Sequence, residues 1–348
     1  MVNSMRLLSK TMVNTKGKKR YTKHGRFISS VDAEDKERLN TVADRAEGLV
    51  HRLRAHHTDL AVAREICEGL LKMIPAVDTE EWRRIRPRAG EGFLSGSSVH
   101  SSHLNAMATY RVLALTGVIG VVVQALKVHL DAVDLTVSAC KILRCLMRDS
   151  EDLVVQMEAA GGIEAGIAAI KTHPNSAAVA AQACKLLSFV PGGSRSRICA
   201  CGGIKAVVEA MKQHAGSAEV AEAACFALAV FATNDYPNAY GIGACGGNRT
   251  VIAAMTQHVG NAAVVTAACC ALSNLALIAN NQADIGACGG VKAVFEARKK
   301  HAGDTALAEA AEEALYSITW ENPALLAERR RYESEANSSK GPSVYLGL

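Results

Sequence analysis

A histidine returns in register along this chain. His129, His173, His214, His258 and His301 are separated by 44, 41, 44 and 43 residues. Eleven residues after each come Cys140, Cys184, Cys225, Cys269 and then Glu312, and twelve before each stand Gly117, Gly161, Gly202, Gly246 and Gly289. Self-similarity at a fixed period means one supersecondary unit copied along the chain, each copy burying the apolar face of its neighbour. The pattern constrains architecture tightly and chemistry hardly at all.

A worn sixth copy lies upstream. With His56 placed on the repeated histidine, Val50 falls on Ile167, Leu53 on Ile170, Arg54 on Lys171 and Cys67 on Cys184. Asp44 stands where the glycine recurs, as suits a terminal copy that packs on one side only. His56 and His129 are 73 residues apart, well over one period. The excess falls in Ile74–His103, which holds Pro75, Pro87 and the run GEGFLSGSSVHSS, and reads as an insertion loop at about 75–103.

Within one copy, Cys201–Asn234, the residues Ile204, Val207, Val208 and Met211 follow two glycines at helical spacing, and that helix ends near His214. A longer helix carries Val220, Ala223, Ala224, Ala227, Leu228 and Phe231 as a wide apolar stripe. A short helix then leads to the next glycine pair, where glycine permits a sharp turn at positive φ. Each unit is therefore three helices, and the fold class is all-α.

Ala271–Ala297, ALSNLALIANNQADIGACGGVKAVFEA, resembles an armadillo repeat. The series from about Asp32 to Thr319 is similar to armadillo repeat-containing proteins, the armadillo repeat-containing protein 6 group among them. The resemblance implies a right-handed superhelical solenoid of about six three-helix repeats, serving as a noncatalytic scaffold. The expected organisation is a basic N-terminal arm (1–31), a solenoid (32–335) and a disordered tail (336–348).

The resemblance also places a partner-binding groove along the third helix of each unit. Lys141, Arg144 and Lys185 would line its N-terminal half and Glu222, Glu309, Glu313 and Tyr316 its C-terminal half, with Thr266 and Asn274 between. Asn274 occupies the position of a family asparagine that clamps peptide backbone, and Phe226 a position where the family carries tryptophan. Only one such asparagine and no such tryptophan remain, which argues against import-signal recognition. Opposed charge at the two ends would orient a bound segment, since charge complementarity sets direction and on-rate more than affinity.

Charge is uneven along the chain. Residues 1–31 carry Arg6, Lys10, Lys16, Lys18, Lys19, Arg20, Lys23 and Arg26 and no acid, so this arm is strongly basic within a chain of net charge +5. It reads as a solvated arm, as a nuclear-import or anionic-surface patch centred on Lys16, Lys18, Lys19 and Arg20, or as a mitochondrial transit segment. The arm and the WRRIRPR loop (Trp82–Arg88) together offer contact with nucleic acid or an anionic membrane as the alternative to a groove-bound protein partner. Eleven cysteines follow repeat positions without zinc-site spacing and read as small buried hydrophobes in a reducing, intracellular compartment, most simply the cytoplasm.

The remaining features point away from chemistry. The histidine row, with Arg54, Lys127, Lys171, Lys212, Thr256 and Lys299 two residues before each member, is expected to face the carbonyl end of its own helix. A sharper alternative makes it an edge strip that attracts an acidic partner or responds to pH. The ACGG turns lack the Gly-Lys-Ser/Thr of a phosphate loop, and no nucleophile–base set departs from the repeat rows. No catalytic residue, metal ligand or cofactor site is expected. Asn322-Pro323 reads as the start of a capping helix, Leu325, Leu326 and Tyr332 as its cover over the stack, and Trp320 as a plug at that junction.

Overall fold

The computed structural model describes residues 33–74, 109, 113, 116–147, 151–189 and 194–338. The basic arm, the insertion and the last ten residues lie outside the described residues. Those described form helices and turns, with no strand among them. The chain divides into two compact units, Met1–Ala165 and Gly166–Leu348.

The first unit contains α1 (Ala33–Ala55), α2 (Leu60–Met73), α3 (Val118–Val128), α4 (Val133–Met147), α5 (Glu151–Ala159) and the start of α6 (Gly162–Thr172). Here α1 packs on α2 and α3, α2 on α4, and α3 on α4 and α5. Leu53, Ile66, Leu70, Leu126, Leu135, Ile142 and Leu143 are fully buried between them. A leucine or isoleucine so placed contributes about 1.5–3 kcal/mol through burial.

The second unit continues through α7 (Ala177–Leu187), α8 (Arg195–Ala200), α9 (Gly203–Gln213), α10 (Ala218–Ala232), α11 (Tyr236–Ala244), α12 (Gly247–Gln257), α13 (Ala262–Leu275), α14 (Ala279–Ala287), α15 (Gly290–Lys300), α16 (Thr305–Thr319) and α17 (Pro323–Ser338). Three strips of like helices run through it. Short helices α8, α11 and α14 touch in turn, middle helices α9, α12 and α15 do the same, and long helices α7, α10, α13 and α16 lie side by side. Each long helix is about 16–22 Å in length at 1.5 Å per residue. This is an all-α solenoid.

Four repeats carry a glycine pair whose members have different jobs, while Gly117 is followed by Val118. The first, at Gly117, Gly161, Gly202, Gly246 and Gly289, holds φ between +73° and +79°, the left-handed turn that the sequence pattern requires. The second makes room: a Cβ at Gly203 would lie 2.6 Å from Ile198 Cγ2 and 3.0 Å from its carbonyl oxygen. Five long helices are capped three residues after a repeat histidine. Asp59, Ser176, Ser217, Asn261 and Asp304 accept from backbone N–H groups of the first turn.

The thiol row packs as expected. Cys140, Cys184, Cys225 and Cys269 are wholly buried and free. Burial alone pushes the Cys140 and Cys67 thiols up to about 12. Glu312 takes the row position in α16, the last of the four side-by-side helices, and it stays exposed. Arg298 of α15 reaches it at 3.2 Å and Arg329 of α17 pairs with it as well.

Candidate partner-binding face

The long helices bury their Cys–Ala–Leu stripe, and the other side of each carries the residues that the resemblance assigns to a groove. In the first unit, Lys141 and Arg144 stand half-buried on α4. In the second, Lys185, Glu222, Phe226, Thr266 and Asn274 are half-buried on α7, α10 and α13, while Glu309, Glu313 and Tyr316 are exposed on α16. Because α7, α10, α13 and α16 pack in sequence, the second-unit residues share one helical layer.

Several are already engaged. Lys185 Nζ pairs with Glu219 Oε1 of the next long helix at 2.8 Å, and Gln182 Nε2 donates to the same oxygen at 3.1 Å. A half-exposed pair of this kind adds about 0–1 kcal/mol, but it neutralises the lysine. Asn274 Nδ2 donates to Ala229 O at 2.9 Å and to Thr233 Oγ1 at 3.0 Å. The amide nitrogen that would clamp a peptide backbone therefore ties α13 to the end of α10.

The α16 end differs. Glu309, Glu313, Tyr316 and Trp320 follow at intervals of four, three and four residues, which aligns them on one face of the helix. The Tyr316 and Trp320 rings lie 5.1 Å apart at 50°, and each residue remains more than half exposed, at 55% and 53%. Leu277, which occupies the Trp320 position in the preceding repeat, is 54% exposed. Trp320 thus does not plug the terminal junction. Leu325 of α17 fills it, lying 2.5 Å from where a Cβ on Gly286 would sit, and Tyr332 stacks against Phe295 at 5.6 Å. Asn322 does cap α17, accepting from Leu325 N at 3.2 Å, and the helix runs to Ser338, so 336–338 are helical where a tail was expected.

The histidine and lysine rows turn out to be seams. His129 Nε2 donates to His57 O at 2.8 Å, His258 Nε2 to Ala215 O at 2.7 Å and His301 Nε2 to Val259 O at 2.7 Å. Each acceptor is the residue after the preceding repeat's histidine, and a carbonyl can only accept, so Nε2 carries the proton. The cations reach the other way. Lys127 Nζ donates to Ala160 O at 2.6 Å and Lys171 Nζ to Cys201 O at 3.1 Å, the carbonyl ends of the next short helices. The dipole argument was sound, but the helix concerned belongs to the neighbouring repeat rather than to the lysine's own.

Both ladders break in the second unit. His214 Nε2 is buried with no hydrogen-bond partner and lines a 540 Å³ cleft beside Pro174, which holds the equivalent acceptor position. Lys212 turns back to Glu209 at 3.0 Å, and Thr256 has no amine to extend, donating instead to Ile252 O of its own helix at 2.8 Å. A second cleft, of 630 Å³, opens beside Thr256, Cys288 and Gly289. Among the described residues no cluster of three His, Cys, Asp or Glu side chains is placed to hold a metal ion.

No protein-family model and no curated protein matches the sequence. Solved structures do match the fold. An engineered protein aligns with TM-score 0.60 and 19% identity over 79% of this chain and 96% of its own. A designed armadillo repeat protein aligns with TM-score 0.58 and 12% identity over 78% and 99%. Another, solved in complex with the peptide (KR)4, gives 0.57 and 14% over 78% and 98%. The class defined by helix order, glycine turns and these matches is the armadillo-type helical solenoid.

Proposed function

We propose that this protein is a noncatalytic scaffold that holds a segment of another polypeptide across the faces of its long helices. The supporting observation is the layer formed by α7, α10, α13 and α16, whose apolar stripes are buried while Phe226, Thr266, Glu313 and Tyr316 stand on the other side. A designed protein of similar fold is known with a bound peptide, which supports the use of such a scaffold for chain recognition. Specificity would come from side chains of the layer, since Asn274 has already committed its amide nitrogen. The test is affinity capture from cell extract with the intact chain and a Phe226→Glu/Thr266→Glu variant. A captured partner should be lost with the variant and kept with Lys292→Glu, on middle helix α15. Retention in both variants would reject the layer as the binding face.

A second reading rests on the charge of residues 1–31, which carry eight lysines and arginines and no acid. In it the arm holds the scaffold on nucleic acid or an anionic membrane. Salt-sensitive binding to RNA or to phosphatidylserine vesicles, abolished by deleting 1–31, would favour it.

A further inference from the structure

We infer that the middle-helix face of the second unit, formed by α9, α12 and α15, is a binding surface for the phosphate backbone of a nucleic-acid duplex. The inference goes beyond the scaffold reading and stands or falls apart from it, because the face lies on different helices from the layer of α7, α10, α13 and α16.

Charge sorts by helix type within this unit. Together α9, α12 and α15 carry seven lysines and arginines against two glutamates, whereas α7, α10, α13 and α16 carry one lysine against five glutamates. A field of one sign over one face is the electrostatic footprint of a polyanionic partner. Its centre is a row in register. Lys205, Arg249 and Lys292 stand nine residues before His214, His258 and His301, and are 44 and 43 residues apart. All three are exposed, and none makes an ion pair or hydrogen bond among the described residues. Lys185, the one lysine of the four long helices, is by contrast held by Glu219.

The middle helices touch in turn, so the row advances about 10 Å per repeat, the usual spacing of packed helices. Lys299 lies on the same face as Lys292, seven residues or about 10 Å further along α15. Lys205 stands on the wall of the 540 Å³ cleft, and Lys292, Lys299 and Lys300 on that of the 630 Å³ cleft, so these cations rim hollows rather than a flat surface. A duplex carries about one phosphate charge per 1.7 Å of axis and meets every step of such a row whatever its base sequence.

What the face lacks narrows the partner. Among the described residues no exposed large hydrophobic side chain lies on α9, α12 or α15, and Phe295 is buried against Tyr332. Single-stranded nucleic acid is gripped by aromatic platforms, and a membrane surface by inserted apolar residues. Lysine and arginine without either suit phosphates held on the outside of a paired stack.

The test titrates the full-length chain into fluorescein-labelled DNA and RNA duplexes of about two helical turns, read by anisotropy. Lys205→Gln/Arg249→Gln/Lys292→Gln should weaken binding at least about tenfold at roughly physiological salt, and should flatten the slope of log affinity against log salt by about 2–3. The row cations make no internal bond, so this variant should melt at the parent's temperature, which separates lost binding from lost folding. Lys72→Gln/Lys141→Gln/Lys185→Gln removes equal charge from α2, α4 and α7 and should change affinity less than about threefold. Binding of either duplex on these terms supports the proposal, and the tighter one names its source. The proposal is overturned if neither duplex binds, if the row variant binds like the parent, if the control variant loses as much, or if a single strand of the same sequence binds at least as tightly. It is overturned too if only phosphatidylserine vesicles bind, which gives the face to a membrane. Duplex binding abolished only by Lys16→Gln/Lys18→Gln/Lys19→Gln/Arg20→Gln gives the contact to residues 1–31 and equally removes it from this face.

Discussion

At the scale of single residues, this molecule joins its repeats with side chains that give protons to backbone carbonyls one period away. A neutral hydrogen bond contributes about 0.5–1.5 kcal/mol, and one from an ammonium about 1.5–3 kcal/mol. Lys171→Met, which keeps the stem but removes the donor to Cys201 O, should therefore lower stability by about 1–2 kcal/mol in urea unfolding. Lys212→Met, whose amine serves only Glu209 on an exposed face, should cost under about 0.5 kcal/mol. The buried thiols set a pH dependence. Cys67 and Cys140 rise from an ordinary 9.0 to about 12 on folding, so the folded state binds protons that the unfolded chain releases. Their stabilisation is complete below pH 9 and is lost as pH climbs towards about 12, at up to about 1.4 kcal/mol per thiol per pH unit. The urea midpoint should fall between about pH 9 and pH 11, and less steeply in Cys140→Ala.

At the scale of helices, the glycine pair separates two costs that mutation can read independently. Gly246→Ala meets nothing within 4 Å and bears only the strain of φ +78°, about 1–2 kcal/mol. Gly203→Ala has an ordinary turn-to-helix backbone but drives a methyl into Ile198 and its carbonyl, so it should cost more and shift α8 against α9. Thermal unfolding of the two variants, with the larger Tm drop in Gly203→Ala, checks the division. These elements were legible from sequence because glycine, the apolar stripe and the period all leave marks on residue identity. The seams were not. Their acceptors are main-chain carbonyls of His57, Ala215, Val259, Ala160 and Cys201, which any residue supplies, so only the donors appear as a pattern. The cap row was readable: a Ser, Asn or Asp stands three residues after five of the six histidines, Ala132 being the exception. Trp320 was misplaced for a different reason. A lone large aromatic beside Asn-Pro looks like core, and only the depth of Leu325 against Gly286 reveals that the space is taken.

At the scale of the whole molecule, the second unit ends in a built seal. The last long helix replaces the buried thiol with Glu312, and Arg298 and Arg329 from flanking helices meet it while Phe295 and Tyr332 stack. Deleting 323–348 should strand that carboxylate's pairing and uncover Gly286 and Phe295. The expected result is a Tm lower by several degrees and new binding of a hydrophobic dye, measured on the truncated chain. The candidate face was legible only as rows. Which members are free depends on cross-repeat pairing, as Lys185 with Glu219 and Asn274 with Ala229 demonstrate, and pairing is a property of rotamers rather than of sequence. The imidazoles of the seams each donate from Nε2 to a main-chain carbonyl one repeat back, so the donor is written in the sequence and the acceptor is not. Evolution could therefore exchange every acceptor residue freely while each fastening still rests on one imidazole.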